Sequence, residues 1–189
     1  MIIGVSGAQG SFSEEAGRTY RHAEGVSEQD IKLSYLVGVE QVLTALDVGA
    51  IDRGVFPIEN SNGGIVYEAV YAMSQHMFSI EKIFEIDIRH CLMAVPGTKV
   101  SDITAIASHD QALKQCRMYL KRVWKDVELV EYEDTAKAAH DLSQKIIPEH
   151  TAVIAPRRSA ELYGLDILEE GVQDLKFNFT TFIVAEKQG

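Results

Sequence analysis

Short apolar runs alternate along this chain with stretches of helical period. Ile2–Ser6 predicts a strand, Gly7-Ala8-Gln9-Gly10 a turn, and Ser11–His22 a helix. Ser11 is the N-cap candidate, with Glu14 three residues on, which is the spacing of a capping box. Lys32–Leu36 predicts a second strand, and Val39, Val42, Leu43 and Leu46 fall on one helical face. Gly54–Ile58 predicts a short buried strand, ended by the polar run Glu59 to Gly64, and Ile65–His76 reads as helical. Phe78–Val95 is too long for one ordinary strand and reads as an extended crossing from one lobe to the next.

A second alternating set follows. Strands are predicted at Ile103–Ala107, Val127–Val130 and Val153–Ala155, and helices at Ser108–Val123, Thr135–Lys145 and Arg157–Tyr163, with Gly164 ending the last helix. Phe179–Ala185 predicts a final strand. Such alternation implies an α/β fold of parallel sheets with helices on their faces. In the Ser108 helix, Leu113, Cys116, Leu120 and Val123 step by three, four and three, a core stripe. Cys116 is therefore expected to be buried packing.

Composition narrows the function classes. Of 189 residues, 46% are hydrophobic, enough for a real core. Eighteen Lys and Arg stand against 28 Asp and Glu, a net charge of −10, which argues against nucleic-acid binding and against anionic membranes. The start shows no signal-peptide pattern and no apolar run is long enough to span a bilayer, so a cytoplasmic setting is expected. Cys91 and Cys116 make neither a disulfide framework nor a metal knuckle. His22, His76, His90, His140 and His150 lack metal-ligand spacing, and no serine-hydrolase elbow occurs, so neither metal nor cofactor is expected.

Four windows carry candidate chemistry. Gly7 to Ser13 lies between a strand and a helix, where free N–H groups and the hydroxyls of Ser11 and Ser13 would suit an anion. A plain tight turn with a serine cap would look the same. Pro57 to Gly64 sits at the carboxyl end of a strand, where ligands gather in open α/β sheets, and offers Glu59, Asn60 and Ser61. Ser108-His109-Asp110-Gln111 stands at another strand–helix junction, with Ser108 and Gln111 spaced as a capping box. Asp174 to Phe182 enters the last strand, and by itself fits an ordinary threonine-rich edge.

Taken together, the windows resemble the prephenate dehydratase family. Its G-P-x-G-T-F-S pattern is met by Gly7, Gly10, Ser11, Phe12 and Ser13, with Ala8 for Pro and Ser11 for Thr. P-I-E-N-S-x-x-G-x-V is met by Pro57 to Ser61, Gly64 and Val66. S-H-P-Q-A-L-x-Q-C is met by Ser108, His109, Gln111, Ala112, Leu113, Gln115 and Cys116, with Asp110 for Pro. Thr135 to Ala139 and Tyr163-Gly164-Leu165 are similar to two further segments. The last pattern, N-x-T-R-F, is met by Asn178, Thr180 and Phe182, but Thr181 stands where the family has Arg. Thr and Arg are not interchangeable in pairing or bracing, which puts affinity or rate in question more than fold.

The resemblance implies a two-lobed fold like that of type II periplasmic binding proteins, with the active site in the interlobe cleft. Lobe one would be 1–80 plus 172–189, and lobe two 81–171. It implies decarboxylating dehydration of prephenate to phenylpyruvate, with Thr180 catalytic. Substrate contacts are expected from Ser11, Phe12, Ser13, Glu59, Asn60, Ser61, Ser108, His109, Gln111, Asn178 and Phe182. A homodimer or higher homo-oligomer is expected, with no nucleic-acid or membrane partner. The chain ends at Gly189, so the ACT regulatory domain usual in the family is expected to be absent. Because prephenate is a dianion and the chain is acidic, attraction must be local, from helix starts and neutral polar groups. Arogenate dehydratase, a non-catalytic ligand sensor and a prephenate decarboxylase that does not aromatise its product are the rival readings.

Overall fold

A computed structural model describes residues 1–25, 27 and 32–188. In chain order its elements are β1 (Ile2–Ser6), α1 (Phe12–Ala23), β2 (Lys32–Leu36), α2 (Val39–Asp47), β3 (Arg53–Asn60), β4 (Gly64–Ile65), α3 (Tyr67–Met73) and β5 (Phe78–Asp87). Then come β6 (His90–Ala94), a 3₁₀ turn at Val100–Asp102, β7 (Ala105–Ser108), α4 (Asp110–Gln115), α5 (Arg117–Val123), β8 (Glu128–Glu131) and α6 (Thr135–Ser143). The chain finishes with β9 (Thr151–Pro156), α7 (Arg157–Tyr163), β10 (Asp166–Glu170) and β11 (Phe179–Lys187).

These elements form two compact units, Met1–Asp87 with Asn178–Gly189, and Ile88–Phe177. The divisions fall later than the expected 80/81 and 171/172. The physical reason is pairing. β5 is hydrogen-bonded to β11 from Phe78 to Asp87, so all of it belongs to the first unit. Val172 and Asp174 donate backbone N–H groups to His90 and Gln115, which ties that stretch to the second. The expected single crossing at 78–95 is thus two strands in two different sheets.

The first unit's sheet runs β2-β1-β3-β11-β5, with β4 paired to β3. It is mixed rather than parallel throughout. β1 is parallel to β2 and β3, whereas β11 is antiparallel to both β3 and β5. Alternation along the strands sends side chains to two faces. Gly17 of α1 lies on Val5, the register partner of Val55. Gly54 and Phe56, on the other face, meet α2 through Val42, Leu43 and Leu46. The α2 face predicted from spacing is buried at all four positions. The helix expected at Ile65–His76 starts later, because Gly64 and Ile65 pair back onto Asn60 and Glu59.

The second unit's sheet runs β10-β6-β9-β7-β8. β9 is buried along its whole length and splits its side chains between two cores. Ala152 and Ile154 pack with Leu92, Ile106 and the Cys116–Trp124 segment. Val153 and Ala155 pack with Cys91, Met93 and α6 and α7. Cys116 is fully buried, as expected from its stripe, and burial pushes its thiol pKa well up. Val123 departs from the stripe at 50% exposure, because the helix expected at Ser108–Val123 breaks at Cys116 and turns its second half. Tyr119 and Trp124 fill the core in its place, with the indole N–H donating to the Tyr119 hydroxyl at 3.0 Å.

Candidate active site

In the first unit, β3 and β11 bring together four of the predicted residues. Thr180 pairs with Asn60 across the sheet. The Asn60 side-chain nitrogen donates to Thr180 Oγ1 at 2.9 Å, to Asn178 Oδ1 at 2.9 Å and to the Phe179 carbonyl at 3.2 Å. Asn60 Oδ1 accepts from the backbone N–H groups of Asn62 at 2.9 Å and Gly63 at 2.8 Å. Ser61 closes the end of the ladder. Its N–H donates to the Phe179 carbonyl at 2.8 Å, and its Oγ accepts from the Phe179 N–H at 3.0 Å. Asn178 is fully buried and Thr180 is 8% exposed. The result is a neutral, hydrogen-bonded cluster at the carboxyl end of β3, assembled from the second and fourth windows.

Phe182 and Glu59 lie elsewhere. Phe182 is 1% exposed and stacks on Phe84 with ring centroids 6.1 Å apart, so it belongs to the core rather than to a binding surface. Glu59 follows the strand alternation to the face opposite Asn60, where it pairs in register with Thr181. Thr181 in turn pairs with Glu85, and its Oγ1 lies 3.4 Å from Glu85 Oε1. The position where the family has Arg therefore sits between two carboxylates, on the face away from Thr180.

The Gly7–Ser13 turn leaves the carboxyl end of β1, the neighbour of β3. Gly7 has φ +153°, and a Cβ there would come within 2.8 Å of Ser11 Oγ, so glycine is required. Ser11 caps α1 as expected, accepting from the Glu14 N–H at 3.3 Å. Glu14 does not close an ordinary capping box. Its fully buried carboxylate accepts from the Gly10 N–H at 2.5 Å and from Arg18 Nε at 2.7 Å. A carboxylate thus already occupies the positive end of α1, and an incoming anion would compete with it. Ser11 and Ser13 are buried, and Phe12 is half-buried. Sequence reasoning read Glu14 only as a cap and did not single out Arg18; neither the full burial of that carboxylate nor its pairing with Arg18 has a local signal in the sequence.

The second unit holds the third window at the β7–α4 junction. Ser108 is fully buried, and its hydroxyl donates to the Ile154 carbonyl at 2.6 Å. The cap of α4 is His109 rather than Ser108, its Nδ1 accepting from the Gln111 N–H at 3.3 Å. β7 ends one residue later than expected, which pulls Ser108 into the sheet. Nearby, His90 is 3% exposed and burial lowers its pKa, which keeps the ring neutral; its Nε2 lies 2.9 Å from Gln115 Oε1. Asp174, from the fourth window, accepts from the N–H groups of Met118 and Tyr119, both at 2.8 Å, and so caps α5. Among the described residues no group of three or more His, Cys, Asp or Glu could hold a metal ion, and no helix is long and apolar enough to cross a membrane.

Comparison with known proteins adds an independent line. A family model described as prephenate dehydratase matches residues 3–189. Arogenate dehydratase 1 of Petunia hybrida is 32% identical over 187 residues, which cover 98% of this chain and 42% of that protein. The chain thus spans less than half the length of that curated relative. Among solved structures, a prephenate dehydratase from Arthrobacter aurescens in complex with L-Phe superposes with a TM-score of 0.89 at 27% identity, covering 100% of this chain and 61% of that one. A nutrient binding protein from Burkholderia cenocepacia bound to methionine is similar in fold alone, with a TM-score of 0.50 at 13% identity, covering 98% of this chain and 83% of that one. The fold class is type II periplasmic-binding-protein-like.

Proposed function

The chain belongs to the prephenate dehydratase family, and from that premise we propose that it acts as a carbon–oxygen lyase, converting prephenate to phenylpyruvate, water and CO2 in phenylalanine biosynthesis. The observation that carries this is the Thr180 hydroxyl, almost buried and held by a neutral amide beside the end of β3. In the reaction one proton joins the departing ring hydroxyl, the C–O bond breaks, and the ring carboxylate leaves as CO2 while its bonding electrons complete the aromatic ring. Aromatisation supplies the driving force. The protein's task is to hold the geometry and offer a hydrogen-bond donor to the oxygen that leaves. Thr180 Oγ–H is that donor, and solvent restores the proton carried off with water.

The test is direct. Thr180→Ala should stay folded and lose about 10²- to 10⁴-fold in turnover, followed as phenylpyruvate formed from prephenate. Near-normal product formation by the variant removes Thr180 from the mechanism. Arogenate is the second substrate to try, because the Petunia relative carries that name. Comparing the two turnover rates assigns the preference. The same reading carries the expectations of a cytoplasmic setting and a homodimer or higher assembly, the latter tested by sedimentation of the purified protein.

A further inference from the structure

Asn60 was expected to touch substrate, yet its amide is engaged within the protein on both sides. The orientation of that amide is fixed by its partners and not by its shape. The N–H groups of Asn62 and Gly63 can only donate, so the atom 2.9 and 2.8 Å from them must be the oxygen. The Phe179 carbonyl can only accept, so the atom 3.2 Å from it must be the nitrogen. Two independent sets of backbone groups thus agree on one orientation. In that orientation a nitrogen, which has hydrogens and no lone pair to offer, faces Thr180 Oγ1 at 2.9 Å. The threonine oxygen must accept this bond, and its own hydrogen is not consumed by Asn60.

We propose that Asn60 is a positioning residue that sets the direction of the Thr180 hydroxyl proton, keeping that proton available to the departing oxygen. This rests on the reading of Thr180 as the proton donor. The turn Asn62-Gly63 acts as the lock that prevents the amide from flipping, and Asn178 Oδ1 takes a second amide contact at 2.9 Å, so that the nitrogen is held from three sides. The groups meeting the Asn60 side chain in these bonds, from the turn and from β11, are neutral. Glu59, the adjacent carboxylate in the chain, points with Glu85 to the other face of the sheet.

The test is Asn60→Asp, which keeps the shape and exchanges a donor for an acceptor. One carboxylate oxygen keeps the bonds from Asn62 and Gly63. The other confronts three acceptors, and Thr180 must turn its proton inward to meet it. Turnover near neutral pH should fall about 10²- to 10³-fold with little change in KM. As pH falls, the new carboxyl group takes up a proton, donates to Thr180 and restores turnover, so the variant gains activity relative to the parent on the acid side. A purely structural role for Asn60 would give no such recovery. A variant as active as the parent, or one whose loss is the same at every pH while its melting temperature is preserved, overturns the proposal.

A second measurement does not depend on the folding of Asn60→Asp. In the parent protein, labelled with 15N, the Asn60 side-chain amide protons should exchange slowly with solvent. They should exchange faster in Thr180→Ala and as slowly as the parent in Thr180→Ser. Unchanged exchange in Thr180→Ala also overturns the proposal. A parent protein inactive on both prephenate and arogenate refutes the assigned reaction. An active parent with an inert Thr180→Ala and a pH-flat Asn60→Asp refutes only the role of Asn60.

Discussion

At the scale of single residues, neighbours on one strand can have opposite fates. Thr180 faces Asn60 and Ile86, whereas Thr181 faces Glu59 and Glu85. If the missing guanidinium limited catalysis, Thr181→Arg would raise kcat/KM. The strand's alternation leads to a different expectation. An arginine at 181 would point away from Thr180 and reach two carboxylates, so the gain should appear as stability. Exposed ion pairs contribute about 0.2–1 kcal/mol, which corresponds to a rise in melting temperature of roughly 1–4 °C for a chain of this size. Steady-state kinetics should be unchanged within error. A large increase in kcat without a thermal shift would show that the residue acts on the reacting groups instead.

Elements show where a sequence speaks and where it is silent. α1 was legible because its signal is local, with Ser11 at the cap, glycines before it and a buried face behind it. The break at Cys116 was not legible, because the groups that make it are remote. Asp174 reaches the N–H groups of Met118 and Tyr119 from more than fifty residues away. The two strands at 78–94 merged in the sequence because Ile88 and Arg89, which separate them, are neither glycine nor proline. β10 was missed because Asp166, Glu169 and Glu170 hide an edge strand among charges. The residues of the Thr180 cluster were legible through their family windows, but their bonds were not, since Asn60 and Thr180 meet only once β3 and β11 pair. Removing the remote cap with Asp174→Ala should cost about 0.5–2 kcal/mol, read as a lower urea midpoint with an unchanged slope. Asp174→Asn, which keeps one acceptor, should lose less. An Ala variant as stable as the parent would mean that water serves those two N–H groups equally well.

Over the whole molecule, the two units meet acid and alkali differently. In the first unit, His76 stands between Asp47 Oδ2 at 2.5 Å and Glu40 Oε1 at 2.9 Å. Both ring nitrogens face carboxylate oxygens, and the bonds to Asp47 and then Glu40 raise its pKa above 6.5. Its stabilisation is therefore complete below the unfolded value and is lost as pH rises through the higher folded one. In the second unit, burial pushes the Asp141 carboxyl up, but bonds from Lys137, Tyr132 and His140 outweigh it and bring the pKa down to about 2. That contribution is present above the ordinary carboxyl value and fades as pH falls toward 2. Thermal melts from about pH 5 to about pH 9 should show the parent's advantage over His76→Gln shrinking toward the alkaline end. Parallel curves would rule out the clasp. The order in which the chain is made adds one consequence of the place of β11 between β3 and β5. As the polypeptide leaves the ribosome, β3 and β5 emerge early and must wait, each with an open edge, while residues 88–177 are synthesised. The stretch that finally zips them together also delivers Thr180. A nascent chain halted before that point has neither a finished sheet nor the hydroxyl proposed to donate the proton, so completion of the sheet and delivery of that hydroxyl fall in the same few codons.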